Sequence, residues 1–127
     1  MTQMDHTMLF LCGAFCLGMA IFHFRFPVLF DWKNELPKMS VANRAILQIA
    51  NRRLIYFFLL VSGMCFLFPD ELSTTPLGRF FMIGMSIFWL SRFVEQFVYV
   101  RIDHRLVHLL TYLFLIGAIL FAVPVLI

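Results

Sequence analysis

Charge is scarce in this chain. Of 127 residues, 13% are charged and 62% are hydrophobic, with a mean hydropathy of +0.91. A water-soluble domain carries about a quarter of its residues charged, so that class is excluded. Basic residues are missing from the N-terminal tail, Met1 to Thr7, which holds Asp5 instead. A signal-peptide n-region needs positive charge, so the first apolar run is expected to be a retained helix. Cysteine is limited to Cys12, Cys16 and Cys65, an odd number inside apolar runs without a CxxC spacing. This excludes a disulfide framework and leaves three small buried hydrophobes. The six glycines are scattered singly through apolar runs, so no phosphate-cradling loop, nucleophile elbow or oxyanion hole is visible. With none of these constellations, the expectation is a non-enzymatic protein. No internal repeat supports an inverted-repeat transporter, and signatures of a fluoride channel, a small multidrug exporter or a diacylglycerol kinase are missing.

Long apolar runs are what the chain has. A helix needs about 20 apolar residues to cross the hydrocarbon core, and four such segments are expected at about 8–24, 41–68, 77–100 and 105–127. The predicted fold is all-α, a single transmembrane domain built as a four-helix bundle. Pro27 stops the first helix, because the residue before a proline disfavours helix. Phe30 to Pro37 then forms a short interfacial elbow on the cytoplasmic side, with Asp31 as the cap of a single turn and Trp32 as a headgroup anchor. Ser40 is the expected N-cap of the second helix. Arg44, Gln48, Asn51 and Arg52 make a wet stripe on its first turns, and Ser73 to Pro76 is an outer loop.

Basic residues report topology. Arg25, Lys33, Lys38, Arg44, Arg52 and Arg53 lie between the first two apolar runs, and Arg101 and Arg105 between the last two. The loop between the second and third runs has only Arg79, beside Asp70 and Glu71. The positive-inside rule puts those two basic connections in the cytoplasm and both termini outside a multi-pass cytoplasmic-membrane protein. A nucleic-acid partner is not expected: the charges border a membrane and no recognition motif accompanies them.

Ionisable groups inside an apolar span usually face a bundle interior. Met85, Phe88, Trp89, Arg92, Glu95, Gln96 and Tyr99 share one side of the third helix at helical spacing, and Arg92 can pair with Glu95 at i, i+3. His104 and His108 align on the fourth helix. As a zinc pair they lack both the intervening glutamate of HExxH and further ligands; the plainer reading puts His104 beside Asp103 and His108 on a neighbouring helix. Cys12, Cys16, Met19 and His23 form a stripe on the first helix, where Ala14 and Gly18 suit close helix contact. His23, Arg92, Glu95, Gln96 and His108 are expected at one depth near the cytoplasmic side, with Trp89 adjoining.

These six residues are the candidate ligand-binding set, for a small polar or lipid-like ligand or a partner helix. The alternatives are a haem held by His23 and His108 with Arg92 on a propionate, a metal redox site, or a structural small subunit of a membrane complex. The bland alternative for Arg92 and Glu95 is a self-neutralised pair that fixes helix packing. No cofactor is identified, and the expected partners are the lipid bilayer, a membrane-protein partner or a second copy.

His23-Phe24, Phe30-Asp31-Trp32-Lys33, Asn43-Arg44, Phe88-Trp89-Leu90-Ser91-Arg92 and Gln96-Phe97 together give the chain a resemblance to a group of small uncharacterised bacterial membrane proteins with four predicted helices. It covers about three quarters of the chain and weakens after Tyr99. The resemblance implies the four-helix architecture and draws attention to Trp89, Arg92 and Gln96. It implies no reaction.

Overall fold

A computed structural model of the chain describes residues 3–100 and 102–126. Met1, Thr2, Arg101 and Ile127, which belong to the tail, turn and last-helix expectations, lie outside the described residues. Helices dominate, and no strand occurs among the described residues. In chain order they are α1 (Gln3–Phe24), α2 (Phe26–Leu29), α3 (Trp32–Glu35), a 3₁₀ turn (Leu36–Lys38), α4 (Val41–Leu67), α5 (Pro69–Thr74), α6 (Pro76–Val98) and α7 (Arg105–Leu126). Four are long and apolar enough to cross a membrane: Asp5–Phe24, Val41–Leu67, Pro76–Val98 and Arg105–Leu126. Large apolar side chains cover their outer faces; Leu77 is 79% exposed and Phe80 76%.

Local chemistry sets the helix ends. α1 starts five residues earlier than the expected Met8 and stops at Phe24, ahead of Pro27. Ser40 caps α4, its Oγ accepting from the Asn43 N–H at 3.3 Å. Thr75 caps α6, accepting from the Gly78 N–H at 3.0 Å. His104 caps α7: its Nδ1 accepts from the Leu106 N–H at 3.1 Å. α6 ends at Val98, two residues short of the expected Val100.

Two connections are more ordered than expected. Between α1 and α4 the chain makes three short turns, because proline sits in the first turn of both α2 and the 3₁₀ segment, where its missing N–H costs nothing. Asp31 does not cap α3 through its side chain. Its backbone is left-handed (φ 51°), unlike the extended conformation that lets a cap reach the first free N–H groups. The carboxylate instead accepts from Asn34 Nδ2 at 3.1 and 3.0 Å, the local bonding that lets aspartate tolerate this region. The connection between α4 and α6, expected as an outer loop from Ser73, contains α5. Pro69 opens it, Asp70 and Glu71 lie in its first turn, and the Thr74 and Thr75 hydroxyls donate to the Asp70 and Glu71 carbonyls, each at 2.6 Å.

The chain divides into two compact units, Met1–Cys12 with Met64–Ile127, and Gly13–Gly63. In the first, α6 and α7 pack antiparallel, as three bonds along their length record: Arg79 Nη2 to Val125 O at 3.3 Å, Ser86 Oγ to Ala118 O at 2.7 Å, and Gln96 Nε2 to Val107 O at 3.3 Å. Met82, Met85 and Trp89 on α6 are buried with Phe114, Gly117, Ala118 and Phe121 on α7. Gly78 is required where α5 meets the start of α6, since a Cβ there would run into the backbone of Glu71 and Leu72. In the second unit the later part of α1 runs antiparallel to α4, fastened by Ser62 Oγ to Gly13 O and Asn51 Nδ2 to His23 O, both at 2.9 Å.

Candidate functional site

Trp89, Arg92, Gln96 and His108 fall in the α6–α7 hairpin of the first unit, and most of their polar capacity is spent there. The Trp89 ring is buried and stacks on Phe114, with centroids 5.9 Å apart and planes 13° apart. Arg92 is half-buried and lies over the same phenyl ring, its guanidinium carbon 4.6 Å from the centroid. Among the described residues no ion pair joins it to Glu95. The i, i+3 spacing permits that pair, but Phe114 on α7 offers the cation a seat inside the hairpin while Glu95 stays exposed. Tyr99 is exposed as well, so the expected stripe splits, with Met85, Trp89 and Gln96 facing inward and Glu95 and Tyr99 outward.

Gln96 is 3% exposed. Its Nε2 donates to Val107 O and to Thr111 Oγ1, at 3.3 and 3.2 Å, while the Thr111 hydroxyl donates to Val107 O at 2.8 Å. Such bonds between apolar helices act as fasteners. The two histidines at the start of α7 do separate jobs, as in the plainer expectation, but His108 meets Asp103 rather than a neighbouring helix. His104 caps the helix, and His108 Nε2 lies 2.8 Å from Asp103 Oδ1 on the exposed approach to it. The reason is sequence distance: a cap must sit just ahead of the helix, and the Asp103 side chain reaches back one turn. Gln96, Asp103, His108 and Thr111 border a 310 Å³ cavity at this end of the hairpin.

The two histidines of the haem alternative fall in different units. His108 Nε2 is held by Asp103. His23, in the second unit, is buried; its Nδ1–H donates to Met19 O at 2.8 Å, and its ring stacks on Phe26 at 4.3 Å with Phe58 edge-on at 5.1 Å. Among the described residues no three of His, Cys, Asp and Glu converge as a metal-ligand set. Cys12 is also engaged, its thiol donating to Leu120 O at 3.1 Å.

A larger pocket lies in the second unit. Within the second unit, the turns after α1 and the first half of α4 enclose a 510 Å³ cavity. Phe24, Pro27, Trp32 and Leu36 form its apolar side, and Lys33, Arg52 and Arg53 bring positive charge to it, with Gln48 and Asn51 between. Of the acids in the nearby turns, Asp31 accepts from the neutral amide of Asn34 and keeps its charge, and Glu35 lies 3.6 Å from Lys38. No carboxylate among the described residues pairs with Lys33, Arg52 or Arg53. Arg53 lies 6.0 Å from the centre of the Tyr56 ring.

Asn51 holds this pocket together. It is 7% exposed, and its Nδ2 grips the His23 carbonyl, tying α4 to the end of α1. The Oδ1 has no hydrogen-bond partner, an omission that costs about 1–3 kcal/mol in a buried amide. Sequence reasoning missed this site because Lys33, Arg52 and Arg53 were counted as topology signals and Asn51 as part of a wet stripe. The usable signal was an Arg-Arg doublet beside a buried amide, facing Trp32-Lys33, with the neighbouring acids paired locally.

Compared with known proteins, the chain matches no family model, no curated protein and no solved structure.

Proposed function

We propose that this chain is a non-enzymatic, multi-pass protein of the bacterial cytoplasmic membrane that binds an anionic, lipid-like ligand in the pocket between α1 and α4. One observation carries the reading: three cations that form no ion pair among the described residues line a single cavity together with aromatic and apolar side chains. An anion neutralises the charge, and an apolar tail covers Phe24, Pro27 and Trp32, as snorkelling cations and interfacial aromatics do at a membrane border. The charge distribution along the chain supports a cytoplasmic pocket, with both termini outside.

The four long apolar helices and their exposed aliphatic and phenyl side chains support membrane insertion. The α6–α7 polar residues then serve as fasteners, since Gln96, Arg92 and Trp89 are bonded or stacked within the hairpin. The test is lipid binding by the purified protein in nanodiscs. Wild type retains anionic phospholipid over phosphatidylcholine, and the Arg52→Gln/Arg53→Gln variant loses that preference. Equal retention of both lipids by wild type refutes the reading.

A further inference from the structure

We infer that the ligand of the α1–α4 pocket is a lipid phosphomonoester, an apolar chain ending in a dianionic phosphate. The inference rests on the proposed anionic-lipid pocket and adds the headgroup class. Charge number decides the class. A phosphodiester lipid carries one negative charge and a terminal phosphate up to two, so a cavity lined by Lys33, Arg52 and Arg53, none of them in an ion pair among the described residues, favours the more highly charged headgroup. A terminal phosphate carries about −1.5 to −2 at neutral pH and exposes three oxygens. Guanidinium groups match those oxygens with paired N–H donors, and lysine acts as a point charge.

The framework suits a ligand held at two ends. Arg52 and Arg53 are consecutive on α4, which is fixed to α1 through Asn51 and the His23 carbonyl. Lys33 comes from α3, whose position is set by the left-handed Asp31 and its bonds to Asn34. The same cavity is lined by Phe24, Pro27, Trp32 and Leu36. A free phosphate leaves that wall uncovered, while a lipid phosphate lays the first part of its tail along it. The nearby Phe24 and Val28 side chains, 73% and 71% exposed, continue the apolar surface outward.

Native mass spectrometry of the full chain, released from mixed micelles, compares phosphatidic acid with phosphatidylglycerol, using phosphatidylcholine as background. The expected result is about a tenfold preference for phosphatidic acid, the ratio one further charge-assisted contact gives. Arg52→Gln/Arg53→Gln brings the two lipids to parity. Lys33→Gln, on the exposed elbow, weakens the preference independently, and Arg105→Gln, outside the pocket, leaves it intact. Equal binding of the two anionic lipids by wild type overturns the phosphomonoester assignment and leaves the anionic-lipid pocket standing. Binding of neither above background removes the pocket reading itself. Displacement of phosphatidic acid by excess glycerol 3-phosphate assigns the site to a soluble phosphate and overturns the lipid source.

Discussion

The α6–α7 hairpin and the α1–α4 elbow both carry conspicuous polar residues in an apolar chain, and they use them in opposite ways. In the hairpin Gln96, Ser86 and Arg92 find partners on the facing helix: Gln96 on Val107 and Thr111, Ser86 on Ala118, Arg92 on the ring of Phe114. In the elbow the acids pair with their own neighbours and three cations are left facing a cavity. A polar residue in an apolar chain is thus a site candidate when its surroundings leave it unmatched. Helical spacing alone, which selected the hairpin residues, measures alignment and is blind to matching.

Substitutions separate the two regions by effect on stability. The largest loss is expected for Trp89→Ala, which empties the stack against Phe114 and costs about 3–5 kcal/mol, read as a lower unfolding midpoint in detergent. Gly78→Ala follows, at about 1–3 kcal/mol, because the added methyl meets the backbone of Glu71 and Leu72 and the flexible part of no side chain. Gln96→Leu removes two interhelical bonds and costs about 0.6–1.7 kcal/mol, the range measured for such bonds in membranes. Arg52→Gln/Arg53→Gln, on exposed positions, changes stability by less than about 0.5 kcal/mol. A loss from the arginine variant as large as that from Gln96→Leu breaks the contrast, since it makes the elbow cations structural too.

A finer test concerns Arg92 and Glu95. With the cation over Phe114 and no ion pair to the carboxylate among the described residues, Arg92 and Glu95 act on each other only as charges at i, i+3 spacing, and a double-mutant cycle of Arg92→Leu and Glu95→Gln gives a coupling of no more than about 0.5 kcal/mol. Stronger coupling restores the pair that the spacing suggests.

Much of the fold was legible in the sequence, because helix boundaries in an apolar chain are written in single residues. Pro27 ended α1 and Ser40 opened α4 where expected. α5 was overlooked although Pro69-Asp70-Glu71 is a helix-start signature; the short run between two long spans was taken for a loop. The site was less legible, for two physical reasons. Arg92 and Phe114 are distant in sequence, so a seat on α7 competes unseen with the local Glu95. Arg52 and Arg53 carry the same charge whether they report topology or face a ligand, and only the pairing of Asp31 with Asn34 and Glu35 with Lys38 distinguishes the two. His23 was singled out as a ligand; its ring is packed on Phe26, while its backbone carbonyl anchors Asn51 at the pocket.

The most direct measurement takes Gln96→Leu and Arg52→Gln/Arg53→Gln through the same two assays, unfolding in detergent and retention of anionic lipid in nanodiscs. Gln96→Leu is predicted to lose stability and keep the lipid, and the arginine variant to keep stability and lose the lipid. Lipid loss in Gln96→Leu together with full retention in the arginine variant would contradict the account and return the ligand site to the α6–α7 hairpin.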